Sequence, residues 1–107
     1  MQISNQTASR INLVKESFVT EDIWFKIVPY PAGNKYADVT VRNTGDLAII
    51  VSNIHVNNTR VWDIDETIPI GEVVTILNIP VNWGSGDVQS VWIETERGTE
   101  VKQDWKS

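Results

Sequence analysis

The sequence contains no cysteine, so the fold has no disulfide and no thiolate ligand for a metal ion. It contains one histidine, His55, which excludes a metal site built from several imidazoles. The longest uninterrupted apolar run, residues 47–51, is far shorter than the roughly 20 residues of a membrane-spanning helix. Stability must therefore come from the packed core of the 107-residue chain, a length typical of one domain.

Leucine and alanine, the common helix formers, are also scarce. The chain has three leucines and four alanines, against 27 valines and isoleucines. Side chains branched at Cβ fit a pleated sheet and lose rotamer freedom in a helix. The composition therefore predicts an all-β protein, a sandwich or a barrel. The six glycines and four prolines fall between the apolar runs, where turns are expected.

Positive charge is in deficit. Nine basic residues face fourteen acidic ones, and the formal net charge is −5. Binding to nucleic acid or to an anionic membrane surface needs a basic face, so neither partner is expected. No signal-peptide pattern follows Met1. An anchoring helix upstream of this chain would be the only route to a membrane.

Apolar residues recur with the period of two that is typical of half-buried strands, most clearly in Val39 and Val41. About seven strands spaced near ten residues apart predict an immunoglobulin-like β-sandwich over residues 17–107, preceded by a lead-in segment over residues 1–16. Two turns are expected to join neighbouring strands. One lies at 43–46, with Gly45 at positive φ, and the other is a two-residue hairpin loop at Arg97-Gly98.

Two of the expected strands, 47–56 and 72–79, carry apolar residues on both faces. A sandwich strand normally has one apolar and one polar face. Either these are central strands covered by neighbouring side chains, or the second apolar face contacts a protein partner. The candidate partner-binding residues are Leu47, Ile49, Val51, Val73 and Leu77.

No catalytic constellation is visible. His55 has no evident nucleophile beside it and is expected to be a solvent-facing strand residue. Six of the fourteen acidic residues form two clusters, which are Asp63, Asp65 and Glu66, and Glu94, Glu96 and Glu100. The first group lacks the glycine and closing glutamate of a calcium loop, although a weak calcium site stays open. The second fits cross-strand pairing with Arg97 and Lys102. We expect a non-enzymatic protein without metal or cofactor.

The five tryptophans outnumber the two phenylalanines and two tyrosines. We expect Trp24 and Trp92 in the core, with Trp62, Trp83 and Trp105 covering the edges and ends of the sandwich. The alternative is that exposed tryptophans stack on sugar rings, which would make the chain a carbohydrate-binding module.

Two glycosylation sequons begin at Asn5 and Asn57, and both lie in expected polar loops. Sequons in surface loops are compatible with an extracytoplasmic protein.

Three segments carry a resemblance to a known family. They are VTVRNTGDLAIIVSNIHVNN, IPIGEVVTILNI and VQSVWIETERGTEV, within residues 36–101. The Asn-Thr-Gly turn, the Gly71 turn and the Thr-Glu-Arg-Gly-Thr hairpin resemble the soluble domain of archaellum accessory proteins of the FlaF/FlaG type, and the related domain of archaeal flagellins and pilins.

The resemblance implies an immunoglobulin-like domain between the archaeal membrane and the surface layer, tethered by an N-terminal hydrophobic helix that this chain lacks. The implied role is to anchor the archaellum motor. The implied partners are a second copy of the chain, the surface-layer protein or a paralogous accessory subunit. None of the matching segments is a catalytic motif.

Overall fold

The computed structural model describes residues 15–28 and 33–107, which form eight β-strands and no helix. The strands are β1 Phe18–Val28, β2 Asn34–Asn43, β3 Ile49–Val56, β4 Thr59–Trp62, β5 Glu66–Ile68, β6 Val73–Pro80, β7 Val88–Thr95 and β8 Glu100–Lys106. The all-β prediction is confirmed. The additional strand, β5, lies within the segment 65–71 that was expected to be a loop. Within these residues no helix is long and apolar enough to cross a membrane.

The strands form two antiparallel sheets that pack face to face. One sheet has the order β1-β2-β6, and the other has the order β4-β3-β7-β8 with β5 also paired to β3. Strands β2 and β3 follow each other in sequence but lie in different sheets, as expected of an immunoglobulin-like sandwich. Each sheet sends its inward side chains into one shared core. The fully buried members with the largest side chains are Ile49, Ile54, Ile68, Ile79 and Ile93.

Two β-bulges explain why β3 and β6 look apolar on both faces. In β3, the register with β7 shifts between Val51 and Asn53, so Val51 and Ile54 both point into the core. In β6, Ile76 pairs with Val39 and Ile79 pairs with Ala37, which leaves two residues opposite one. An extra residue in one strand reverses the alternation of its side chains. The second apolar face of β3 is therefore the core itself.

The expected turn at 43–46 exists, but Gly45 is needed there for a different reason. Its φ is not positive. A Cβ atom at Gly45 would lie 2.6 Å from the carbonyl oxygen of Lys15 and 2.6 Å from the amide nitrogen of Ser17. Because glycine has no Cβ atom, the turn can lie directly against the backbone of residues 15–17, the segment that enters the domain. The Asp46 N–H donates to the Lys15 carbonyl at 2.9 Å.

The hairpin between β7 and β8 also differs from the expectation. The Gly98 N–H donates to the Thr95 carbonyl, and the Thr95 N–H donates to the Thr99 carbonyl, both at 2.9 Å. The loop is therefore longer than two residues. Gly98 adopts a φ of 91°, a conformation that glycine reaches without steric cost.

Glu16, placed in the lead-in segment by the sequence, is in contact with the domain. Its carboxylate accepts hydrogen bonds from the Thr95 hydroxyl and from the Arg97 guanidinium, the latter at 2.9 Å. Burial tends to raise the pKa of Glu16, but hydrogen bonds from Thr95, Thr99 and Arg97 outweigh it and hold the pKa below its ordinary value. These bonds join the entry segment to the β7–β8 hairpin. Residues 1–14 lie outside the described residues.

Because the pKa of Glu16 is lower in the folded state, its contribution to stability is present above the pKa of the unfolded state and is lost as pH falls through the folded pKa. We expect Glu16→Gln to cost about 2 kcal/mol at pH 7 and to flatten the loss of stability below about pH 4.3. Urea unfolding at pH 7 and in acid measures both. Glu96→Gln, on the exposed part of the same hairpin, is the control. An equally steep acid loss in Glu16→Gln and in the wild type would contradict the assignment.

Candidate functional site

The five predicted partner-binding residues separate into three locations. Ile49 and Val51 have 0 % of their surface exposed and lie in the core, so the expectation that they face a partner is wrong. The bulge in β3 is the physical reason. Leu47 is half-buried in the β2–β3 turn, where its carbonyl accepts a hydrogen bond from the buried side chain of Asn43 at 2.8 Å. Val73 and Leu77 are exposed on β6.

Val73 and Leu77 belong to the outward side of the sheet β1-β2-β6, which we call the three-strand face. Trp24 pairs with Asp38, and Asp38 lies opposite the bulge at Leu77, so these three residues form one row across the sheet. Trp24 is 61 % exposed and Leu77 is 62 % exposed. The expectation that Trp24 lies in the core is therefore wrong. Its neighbour Ile23 takes the inward position instead, and the alternation then turns Trp24 outward.

A second row lies on the same face, at the second outward-facing residue of β2 after Asp38. Val19 pairs with Arg42, and Arg42 pairs with Val73. Arg42 makes a two-pronged contact with the carboxylate of Glu21, with N–O distances of 2.8 and 3.2 Å. Between the two rows, the hydroxyls of Thr40 and Thr75 are hydrogen-bonded at 2.9 Å. The central strand of the face is therefore polar, whereas both border strands carry exposed apolar side chains.

The buried carboxylate of Asp38 organises the row that contains Trp24 and Leu77. It accepts a hydrogen bond from the backbone N–H of Asn78 at 2.9 Å and forms an ion pair with Lys26 at 2.8 Å. Asn78 has a φ of 58°, which is uncommon for a residue other than glycine. The Asn78 contact satisfies a backbone N–H within the bulge. Asp38 thus links all three strands beneath the two exposed side chains.

The outward side of the other sheet carries a row of three stacked side chains, His55, Trp92 and Lys102. The rings of His55 and Trp92 stack with centroids 4.9 Å apart, and the Lys102 ammonium lies 5.2 Å from the Trp92 centroid. His55 is half-buried rather than solvent-facing. Within the described residues its Nδ1 has no hydrogen-bond partner. Trp92 was expected in the core but lies half-buried in this row. No nucleophile hydrogen-bonded to that nitrogen is present in the described part of the chain.

Glu94 and Glu100 pair with each other across β7 and β8, so the predicted pairing with Arg97 and Lys102 is wrong. Arg97 pairs with Glu16 instead. A hydrogen bond from Asn53 lowers the pKa of Glu94, whereas the hydrogen bond shared with Glu94 raises the pKa of Glu100. Both carboxyls lie on an open surface.

The remaining tryptophans pack against the core. Trp83, expected at an edge, is buried, donates its indole N–H to the Tyr36 carbonyl at 3.1 Å and meets Phe25 edge to face. Trp62 and Trp105 are partly buried. Trp24 is therefore the one tryptophan among the described residues with most of its surface exposed.

An open cleft of about 710 Å³ lies where the ends of β2, β3, β4 and β6 meet. Lys35 is the one charged residue among the described residues that line it. Its ammonium already donates to the Trp83 carbonyl at 2.7 Å and lies over the Trp83 ring. The cleft therefore offers a ligand no uncommitted charge. Within residues 15–28 and 33–107 no three acidic or histidine side chains come together as a metal site.

The sequon at Asn57 is part of a tight turn. Asn57 has a φ of 52°, its Nδ2 donates to Gln89 at 2.6 Å, and its Oδ1 accepts from the Ser90 N–H at 2.9 Å. A glycan would be attached to the same Nδ2 atom. A glycan would replace one of the two hydrogens on this nitrogen, so the hydrogen bond to Gln89 would depend on the other. Asn5 lies outside the described residues.

The chain matches no protein-family model and no curated protein sequence.

Asp38→Ala should cost about 3 kcal/mol of unfolding free energy, because it leaves Lys26 and the Asn78 N–H without their partner. Glu21→Ala is the matched control on the same face. Its ion pair with Arg42 is between a third and a half exposed, so solvent screens it and its loss should cost much less than the loss of Asp38. Denaturant unfolding of both variants measures the difference. Equal costs would show that Asp38 does not hold the bulge.

Proposed function

We propose that this chain is a non-enzymatic β-sandwich module that binds a protein partner through the three-strand face. The observation that carries the proposal is the row in which Trp24 and Leu77, each more than 60 % exposed, flank the buried Asp38. Tryptophan is enriched among the residues that supply most of the binding energy in protein interfaces, and the exposed leucine beside it adds apolar area that a partner can bury.

The surroundings of Trp24 support binding by preorganisation. The Lys26 ammonium lies 5.3 Å from the centre of the indole and is itself held by Asp38. A side chain that is already ordered loses less conformational entropy when a partner binds. The face also carries a fixed Arg42, and arginine is enriched with tryptophan at interface hot spots.

The resemblance supplies the biological setting of the proposal. The module would belong to the archaellum apparatus, outside the cytoplasmic membrane and beneath the surface layer. There it would help to anchor the motor by binding a second copy, the surface-layer protein or a paralogous accessory subunit. Val73 and Leu77 remain as predicted contact residues, and Trp24 joins them.

A carbohydrate-binding function is the second candidate, because an exposed indole is the usual platform for a sugar ring. Trp24 is the observation that favours it. Lys26 covers part of the indole, which leaves less of the ring for stacking. Titrating envelope polysaccharides while following tryptophan fluorescence tests this function. A change that is absent in Trp24→Ala would support sugar binding, whereas a flat response across polysaccharides would remove it.

The protein-binding function is tested with purified archaeal surface-layer protein and paralogous accessory subunit in isothermal titration calorimetry. Trp24→Ala should weaken binding at least about tenfold, because a hot-spot tryptophan is worth more than about 1.4 kcal/mol. Ile64→Ala, which truncates a side chain that is 67 % exposed in the β4–β5 connection, should change the affinity less than about twofold. Equal effects of the two variants would contradict the assignment of the face.

A further inference from the structure

Strand β6 differs from the other strands that border the two sheets. Each of the others carries charged residues, which are Glu21, Asp22 and Lys26 in β1, Arg60 in β4, Glu66 in β5, and Glu100, Lys102, Asp104 and Lys106 in β8. Strand β6, with the sequence VVTILNIP, carries none. Charges on a border strand normally prevent it from pairing with another chain. The edge of β6 lacks this protection along its first five residues.

The backbone groups of that edge are free to pair. Within the described residues β6 pairs only with β2. The Asn43 N–H donates to the Glu72 carbonyl at 3.0 Å, and Val41 lies opposite Val74. Because hydrogen-bonded pairs alternate along an antiparallel ladder, Val73 and Thr75 direct their N–H and C=O groups away from β2.

The arrangement of side chains indicates that a second copy of this chain pairs with the free edge of β6. The three-strand face has its apolar residues on the border strands and its polar residues in the centre, which is the reverse of a usual interface. An antiparallel pairing of β6 with β6 of a second copy, with Thr75 opposite Thr75, corrects this. It places Val73 of each copy beside Leu77 of the other. The apolar side chains of the two β6 strands then form one continuous apolar band in the middle of the joined sheet.

The same register is favourable at every position it pairs. A threonine opposite a threonine is a stabilising cross-strand pair, and no like charges meet even though each chain carries a net charge of −5. The pairing between the two β6 strands ends after Leu77, because the bulge at Leu77–Asn78 and then Pro80 interrupt the ladder.

We infer that two copies of this protein associate through the edges of β6, in a two-fold antiparallel register centred on Thr75, to form one continuous six-stranded sheet. This inference rests on the self-association within the proposed function, but it assigns that contact to the sheet edge. Trp24, on the far border strand of each copy, stays available to another partner.

The absence of cysteine makes the register directly testable. Two residues opposite each other in an antiparallel ladder have Cα atoms about 5.5 Å apart, which a disulfide spans. Thr75→Cys should therefore form a disulfide-linked dimer in mild oxidant at least about tenfold faster than Thr67→Cys. Thr67 is an exposed threonine on β5, a border strand of the other sheet. Equal rates for the two variants would overturn the register.

Sedimentation equilibrium tests the association without a covalent bond. The wild type should be dimeric, and Thr75→Lys should raise the dimer dissociation constant at least about tenfold, because two ammonium groups meet on the two-fold axis. Thr67→Lys should leave it unchanged, and thermal unfolding of both variants checks that they fold. A monomeric wild type overturns the inference. So does a dimer that survives Thr75→Lys but dissociates in Trp24→Ala, since it would place the second copy on the face. Loss of surface-layer binding in Trp24→Ala would still support the proposed function in either case.

Discussion

The carboxylate of Asp38 is the contact on which the rest of the three-stranded sheet depends. It joins Lys26 of β1 to the backbone of Asn78 in β6, and it does so from the central strand. A buried carboxylate needs such partners, since an unpaired charge under a sheet face would be strongly destabilising. By holding the bulge in β6, Asp38 keeps Ile76 and Ile79 in the core while Leu77 points outward. The contacts of Asp38 thus determine both which side chains of β6 are buried in the core and which are exposed on the three-strand face.

Much of the architecture can be predicted from the sequence. The excess of valine and isoleucine over leucine and alanine indicates an all-β fold, and the alternation of Val39 and Val41 marks a strand that is found where expected. Polar residues, glycine and proline between the apolar runs indicate most of the turns. These signals are local, because they depend on backbone preference and on the period of two. Distant contacts do not enter them.

The candidate site could be predicted only in part, because it depends on register. A bulge adds one residue and leaves no clear sequence signal, yet it moves Val51 from the surface expected for it into the core. Trp24 was misplaced for a related reason, since a large aromatic residue within an apolar stretch resembles a core residue until Ile23 is assigned inward. Val73 and Leu77 were assigned to the second apolar face of their strand, and they are exposed because Ile76 and Ile79 take the inward positions of β6. Contacts over long sequence distances, such as Glu16 with Thr95, have no local signature.

Most of the large apolar side chains that are exposed among the described residues lie on the two border strands of one sheet, and this placement relates the proposed function to the proposed dimer. Pairing through β6 would join the inner borders of two faces, whereas Trp24 would mark the two outer borders. The most direct measurement is the methyl and indole NMR spectrum of the protein, first at increasing protein concentration and then with surface-layer protein added. The Val73 and Leu77 methyl resonances should shift with concentration, and the Trp24 indole should shift only with the second partner. Shifts confined to Val88 and Ile64, which are equally exposed elsewhere, would contradict the placement of both contacts.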